Sequence, residues 1–161
     1  MLVLGIDPGL SGAVAFLEGD QLLNVADLPL VDVYHGKGSR KELSPALLHD
    51  MLVHTEIRIS KAIVEHVGAS PQMGTTSAFR FGENFGAILA VLACCGIRTE
   101  LVRPQKWKKA MGLGADKALS RSMAIKLWPM QSDYFARAKD DGRAEAALLA
   151  EFGRRWTEKL P

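Results

Sequence analysis

The chain has 161 residues, of which 48% are hydrophobic and 24% charged, and these values are typical of a single soluble globular domain over residues 1–161. Apolar runs are too short for a membrane span and the first residues lack a signal peptide, so we expect a cytoplasmic protein. The net charge is only +2, but residues 98–127 hold eight basic and two acidic residues, which favours an anionic partner over a plain solvated surface.

Five strands are predicted along the chain. Hydrophobic segments bounded by turn residues place them at 2–7, 12–18, 21–28, 61–67 and 97–104. Short links join the first three strands, which indicates an antiparallel meander. A helix separates the last two, so these are expected to be parallel. Between the third and fourth strands, the glycines of VDVYHGKGSRKELSP predict a loop.

Five helices are predicted in the remaining segments. The first begins at Pro45, and a long one covers about 76–95. Three more follow: a short helix in PQKWKKAM, a helix capped by Asp116, and a last helix over 141–156. The pattern predicts an α/β fold with a five-stranded mixed sheet, three antiparallel strands followed by parallel strands, flanked by helices.

Neither the cysteines nor the histidines have the spacing of a metal site. Cys94 and Cys95 are adjacent in an apolar segment, which predicts two free, buried thiols in a reducing compartment. The four histidines follow no ligand spacing, and His66 is expected on the strand face opposite to Glu65. All four are interpreted as structural or exposed residues.

Acidic residues occur at positions where apolar residues would be expected. Asp7 ends the first strand, and Glu65 lies in the fourth. In the last helix, Asp141 and Glu145 share one face with Leu148. Since that face is expected to pack on the sheet, both acids should point toward it. Helix capping is the alternative interpretation, because acids are favoured in the first turn of a helix.

A simple capping role fits the neighbouring residue Asp140 better than it fits Asp141. Asp140 points about 100° away from Asp141 around the helix, so it is the stronger candidate for a cap. The first and fourth strands are expected to be adjacent and parallel, which would bring Asp7 and Glu65 to one edge of the sheet together with the helical acids. Such a cluster repels itself unless cations neutralise it.

A site of four converging carboxylates, without cysteine or histidine, favours Mg²⁺ or Mn²⁺ as the bound ion. Two such ions about 4 Å apart can activate water and stabilise the leaving oxygen of a phosphodiester. The basic segment would then hold the polyanionic substrate. Its side chains that we expect to contact phosphates are Lys106, Lys108, Lys109, Lys117 and Arg121.

Four segments in this order and spacing resemble the RuvC family of Holliday junction resolvases. They are GIDPGLSG, IVEHV, VRPQKWKKAMGLGADKALSR and DDGRAEAALLA, and the last is most similar to phage and prophage members. The resemblance implies a ribonuclease H-like fold in a cytoplasmic protein of a bacterial cell or phage-infected host. It implies a homodimer that cuts four-way DNA junctions by paired symmetric nicks with two Mg²⁺ or Mn²⁺ ions per site.

The resemblance also implies roles for individual residues. It identifies four metal ligands, Asp7, Glu65, Asp141 and Glu145, of which Asp7 corresponds to the metal-bridging aspartate. Lys108 and Lys117 resemble the basic residues near the scissile phosphate, and Lys117 is included with the catalytic residues. No small-molecule cofactor and no membrane is expected among the partners.

This chain departs from the family pattern in two ways. The last two acids are four residues apart and the second is Glu145, where cellular members use two aspartates three residues apart. Gly68 stands where cellular members often place an aromatic wedge after the strand glutamate, so the candidates for a substitute are Gln72 and Met73, and the alternative is that this chain has no wedge. A related nuclease for flaps, branched DNA or RNA, and a non-cutting DNA-binding module of this fold, remain alternatives.

The long helix contains a candidate packing surface. Gly82 and Gly86 lie one turn apart, flanked by Phe79, Phe85 and Leu89. Glycine inside a helix costs up to about 1 kcal/mol relative to alanine, so two in consecutive turns suggest the close approach of another helix. That helix could belong to the same chain or to a second copy.

Overall fold

The computed structural model describes residues 1–36, 38–66, 68, 73–114 and 116–156. Its strands are β1 (Leu2–Ile6), β2 (Ala13–Glu18), β3 (Gln21–Asp27), β4 (Leu30–His35), β5 (Gly38–Leu43), β6 (Ile59–Glu65) and β7 (Thr99–Val102). Its α-helices are α1 (Pro45–Val53), α2 (Thr75–Cys94), α3 (Pro104–Ala110), α4 (Lys117–Leu127) and α5 (Asp141–Trp156). Two 3₁₀ segments, Pro129–Phe135 and Ala138–Asp140, connect the last two helices.

A five-stranded mixed sheet lies at the centre, in the order β3-β2-β1-β6-β7. Strand β1 pairs antiparallel with β2 and parallel with β6, and β7 continues the parallel part. The predicted mixed sheet is therefore confirmed, as is the adjacency of the first strand with the strand that ends at Glu65. All five residues of β1 are buried, because the strand is covered on both faces.

Helix α5 lies very close to the sheet because glycines on both elements lie at the contact. A Cβ atom added to Gly5 of β1 would lie 2.0 Å from the carbonyl oxygen of Ala146, and one added to Gly153 would lie 2.4 Å from Cγ1 of Ile63. Neither position leaves room for a side chain. This close packing determines where the N-terminus of α5 lies relative to the end of β1.

Helices cover the two sheet faces with separate apolar clusters. The α5 face includes Trp107 and Phe135, both fully buried. The other face is covered by α1 and α2, which contribute Leu48 and Ile88. Burial of a large apolar side chain stabilises the fold by about 1.5–3 kcal/mol, so both layers contribute to fixing the sheet.

Two predictions about local structure were wrong. The segment predicted as a loop is mainly the antiparallel hairpin β4–β5, which turns at Gly36, whose φ of 61° suits glycine, and is anchored by buried Leu43. The cysteines are free, as predicted, but Cys94 is exposed and Cys95 is half-buried. Helix α2 presents Cys94 on its solvent side, which an apolar sequence alone does not reveal.

Among the described residues, no helix combines the length and apolar character needed to cross a bilayer.

Candidate active site

The turn after β1 fixes Asp7 at the carboxyl end of the central strand. The backbone N–H of Gly9 donates to Asp7 Oδ1 at 3.1 Å. A Cβ atom on Gly142, in the first turn of α5, would lie 3.0 Å from Asp7 Oδ2 and 2.3 Å from the carbonyl oxygen of Ser11. Glycine at this position thus lets the N-terminus of α5 contact the aspartate turn.

Glu65 ends the neighbouring strand β6 and is almost completely buried, with 6% of its surface exposed. The indole N–H of Trp107 donates to its Oε1 at 2.8 Å. The pKa of Glu65 is raised to about 7, chiefly by burial and also by the charges of Asp7 and Glu145, against the opposing effects of the Trp107 hydrogen bond and the charge of Lys108. Asp7 and Glu145 are thus close enough to Glu65 for their charges to affect its ionisation.

Glu145, on the second turn of α5, is also buried and is held by two partners. The Lys108 ammonium donates to its Oε1 at 2.7 Å, and the buried hydroxyl of Ser120 donates to the same oxygen at 3.5 Å. Lys108 thus lies against a carboxylate of the site. A charge-assisted contact of this kind is among the stronger hydrogen bonds in proteins.

Oδ1 of Asp141 has a cationic neighbour but, among the described residues, no hydrogen-bond partner. Arg121 Nε lies 2.9 Å from Asp141 Oδ1, and both atoms are buried. Among the described residues, neither atom has a partner in hydrogen-bonding geometry. A buried carboxylate oxygen without a directed donor is costly. This oxygen is therefore suited to a cation.

Asp140 has the separate role that helical geometry predicted for it. It is 2% exposed and accepts hydrogen bonds from the Arg137 guanidinium and from the Arg137 backbone N–H, which caps the turn before α5. The Arg137 hydrogen bond holds the pKa of Asp140 below its usual range. Arg143 similarly binds Asp27 at the end of β3, with N–O distances of 2.6 and 2.8 Å.

The remaining predicted site residues differ in position. Lys106 and Lys109 are exposed on α3, and Met73 is half-buried just before α2. Lys117 begins α4, but its side chain lies outside the described part of the structure, as does residue Gln72. Their predicted contacts with phosphate or junction remain predictions.

The donor chemistry of the site fits a hard divalent cation, but the carboxylates are not gathered into a finished metal centre. Within the described ranges, no group of three or more Asp, Glu, His or Cys residues is arranged to hold an ion. Lys108 and Arg121 instead lie against Glu145 and Asp141. Metal binding would require the side chains of Lys108 and Arg121 to move away. The carboxylate oxygens of Glu145 and Asp141 would then be available as metal ligands.

Two contributors to the site, Trp107 and Ser120, were missed by sequence reasoning. Trp107 is flanked by Lys106 and Lys108, and its fully buried indole was hidden among basic residues. The available signal was that an indole N–H requires a partner when buried. Ser120 carried no comparable signal, since serine is common on helix surfaces.

No protein-family model and no curated protein matches the chain. Among solved structures, it is similar to T. thermophilus RuvC in complex with a Holliday junction substrate, with 19% identity over 96% of this chain and 95% of that chain and a TM-score of 0.63. A second structure of Thermus thermophilus RuvC has 19% identity, 96% coverage of both chains and a TM-score of 0.55. At this identity, the likeness establishes that the chain has the fold of RuvC.

Proposed function

We propose that this protein is a metal-dependent, structure-selective DNA endonuclease that resolves four-way junctions by paired symmetric nicks. The observation that carries the proposal is the electrostatic coupling of buried Glu65 with Asp7 and Glu145 beside Lys108, on the fold of RuvC. Several carboxylates that lie close together, next to basic side chains, are an arrangement suited to the hydrolysis of a phosphodiester. One of the similar structures contains a Holliday junction substrate, which favours branched DNA.

Four residues would hold Mg²⁺ or Mn²⁺: Asp7, Glu65, Asp141 and Glu145. When bound, two such ions activate water and stabilise the leaving oxygen of the phosphodiester. Lys108 and Arg121 neutralise Glu145 and Asp141 in the structure described here. When metal and DNA bind, the side chains of Lys108 and Arg121 would leave these carboxylates and contact backbone phosphates instead. Lys117, at the start of α4, is assigned to the scissile phosphate.

The experiment that tests the proposal uses a synthetic four-way junction with and without Mg²⁺. Products are mapped on each strand, beside linear duplex, flap and RNA–DNA hybrid controls. Metal-dependent nicks at symmetric positions on two opposing strands are expected. Equal cutting of flaps or hybrids would favour the related-nuclease alternative, and junction binding without cutting would favour a non-cutting module.

Trp107 is expected to position Glu65 for metal binding. Trp107→Phe keeps a buried aromatic ring but removes the indole donor to Glu65 Oε1, so the metal concentration needed for half-maximal cutting should rise about 10- to 100-fold. Titrations of cutting against Mn²⁺ measure this change. Trp128→Phe is the matched control, because Trp128 Nε1 donates to the carbonyl oxygen of Asp20 instead. An equal change in both variants would assign Trp107 to packing alone.

The exposed lysines of α3 are expected to contact DNA phosphates. Each of Lys106→Ala and Lys109→Ala should lower the slope of log K against log salt by about one unit. Junction affinities measured over a series of salt concentrations give the slopes. Lys126→Ala, at the last turn of α4, serves as the charge-matched control. If the α3 variants behave like this control, those side chains are ordinary solvated surface.

A homodimer is part of the proposal, because two nicks related by two-fold symmetry need two sites. Apart from the adjacent residues and the backbone of α2 itself, no atom of the described residues lies within 4 Å of a Cβ built on Gly82 or Gly86, so no other described element covers these glycines. Phe79, one turn before Gly82, is 67% exposed. These observations favour a second copy over a helix of the same chain as the partner of this face.

Gly82→Leu is therefore expected to give a folded monomer that binds junctions poorly. The added side chain enters open space in one chain but would obstruct the close approach of a partner helix. Light scattering measures the mass, and Ala93→Leu near the end of α2 is the control at another exposed position. An undiminished dimer mass for Gly82→Leu would place the interface elsewhere.

A further inference from the structure

A cavity of about 940 Å³ lies at the end of the sheet opposite to the carboxylates. It is bounded by Ile59, which begins β6, and by Arg98, which precedes β7, whereas Glu65 ends β6. Since β6 and β7 are parallel, the full length of the strands separates this cavity from Glu65. A molecule bound here would leave the candidate active site open.

Two arginines give the cavity a positive charge that nothing in the described structure neutralises. Arg58 and Arg98 both line it and are exposed. Within residues 1–36, 38–66, 68, 73–114 and 116–156, neither guanidinium forms an ion pair or hydrogen bond, and the cavity lining contains no aspartate or glutamate. Guanidinium groups with free donors are suited to carboxylate or phosphate.

The rest of the lining is largely apolar. It includes Leu52, Ile57, Ile59 and Ile97, together with the half-buried thiol of Cys95. A second cavity of about 290 Å³ shares Thr55 and Ile57 with the first. It extends the apolar lining toward β3 with Leu2, Phe16, Leu23 and Met51, and the exposed side chain of Glu56 is the acidic residue of this lining. The two cavities adjoin at Thr55 and Ile57, and we call them together the far groove.

We propose that the far groove binds an acidic peptide segment of another protein, with carboxylates on Arg58 and Arg98 and apolar side chains in the remainder. Nucleic acid would supply anions but no aliphatic side chains, and surfaces that bind it are more polar and more strongly basic than this one. An extended peptide with alternating acidic and apolar residues supplies both. The distance from Glu65 allows such a partner to bind while DNA occupies the active site.

A labelled, end-capped ten-residue peptide of alternating Asp and Leu tests the proposal by fluorescence anisotropy. We expect binding that is weakened at least tenfold in an Arg58→Ser/Arg98→Ser variant. Junction binding and cutting should be unchanged, because Arg98, although it belongs to the basic segment 98–127, lies at the end of the strands opposite to Glu65. A Lys-Leu peptide should not bind. Lys106→Ser/Lys109→Ser is the charge-matched control, which should bind the Asp-Leu peptide normally and the junction more weakly.

The two cysteines provide a second measurement that needs no arginine variant. Cys95 lines the far groove, whereas Cys94 is exposed and is not part of its lining. In a Cys94→Ser background, bound peptide should protect Cys95 from alkylation, and in Cys95→Ser the reactivity of Cys94 should not change. Absence of peptide binding, unprotected Cys95, or equal weakening of junction binding in the arginine variant would each overturn the proposal, the last by assigning the groove to DNA.

Discussion

Asp7→Asn is expected to abolish junction cutting while leaving junction binding intact or stronger. The substitution preserves shape and keeps an oxygen that can accept from Gly9 N–H, but it removes a charge from the carboxylates around Glu65. Loss of metal stabilisation worth about 4 kcal/mol corresponds to about a thousandfold lower rate. Binding should be retained, because one repulsive charge near the DNA phosphates is gone. Single-turnover cutting and gel-shift affinity measure the two effects separately.

Asp50→Asn provides the matched control for this experiment. Asp50 is exposed on α1 and is not one of the carboxylates assigned to the site, so its variant should cut at the wild-type rate. If Asp7→Asn also cuts at nearly the wild-type rate, the assignment of the metal site is wrong. If it loses binding as well as cutting, Asp7 is required for the structure of the turn rather than for hydrolysis.

Periodicity and strand order predicted the features that bring the acids together. The helix over 141–156 was predicted with the bounds that α5 has, and both Glu145 and Leu148 lie on its buried side. The parallel pairing of β1 with β6 follows from their sequence order and was confirmed. Local pattern was sufficient in these cases because each element is an apolar segment with clear boundaries in the sequence.

Other features depend on tertiary contacts that no local pattern encodes. The hairpin β4–β5 resembles a loop in sequence because its strands are largely polar, and it is anchored mainly at Leu43. Lys108 was predicted to contact phosphate, and its contact with Glu145 depends on how α3 and α5 pack. The same holds for the indole of Trp107 and the carboxylate of Glu65.

The site combines costly and stabilising interactions in a small volume. Burial of Glu65 near Asp7 and Glu145 disfavours its ionised form, whereas Trp107 and Lys108 partly offset that cost. Such a balance is common where function requires charged groups inside a fold. It implies that removing charge from the site should stabilise the metal-free protein while it destroys activity.

Glu65→Gln is expected to stabilise the metal-free protein at pH 8 and to abolish cutting. The pKa of Glu65 is about 7 in the folded protein, against an ordinary value of 4.5. Between these pH values the folded state keeps a proton that the unfolded state has released, so stability falls as pH rises through this window. Glutamine can still accept from Trp107 but cannot ionise. At pH 8 the variant should gain on the order of 3 kcal/mol in free energy of unfolding.

Urea unfolding in excess chelator, at several pH values from 4 to 8, measures this difference. The gain should vanish toward pH 4, where Glu65 is protonated in both states, and should be complete above the folded pKa of about 7. Glu83→Gln, at an exposed position on α2, should show no such change. Mg²⁺ should stabilise the wild type at pH 8 more than Glu65→Gln, because the metal neutralises the carboxylate that the variant lacks. A wild type as stable as the variant at pH 8 would mean that Glu65 ionises without cost, and the electrostatic coupling in the site would then be absent.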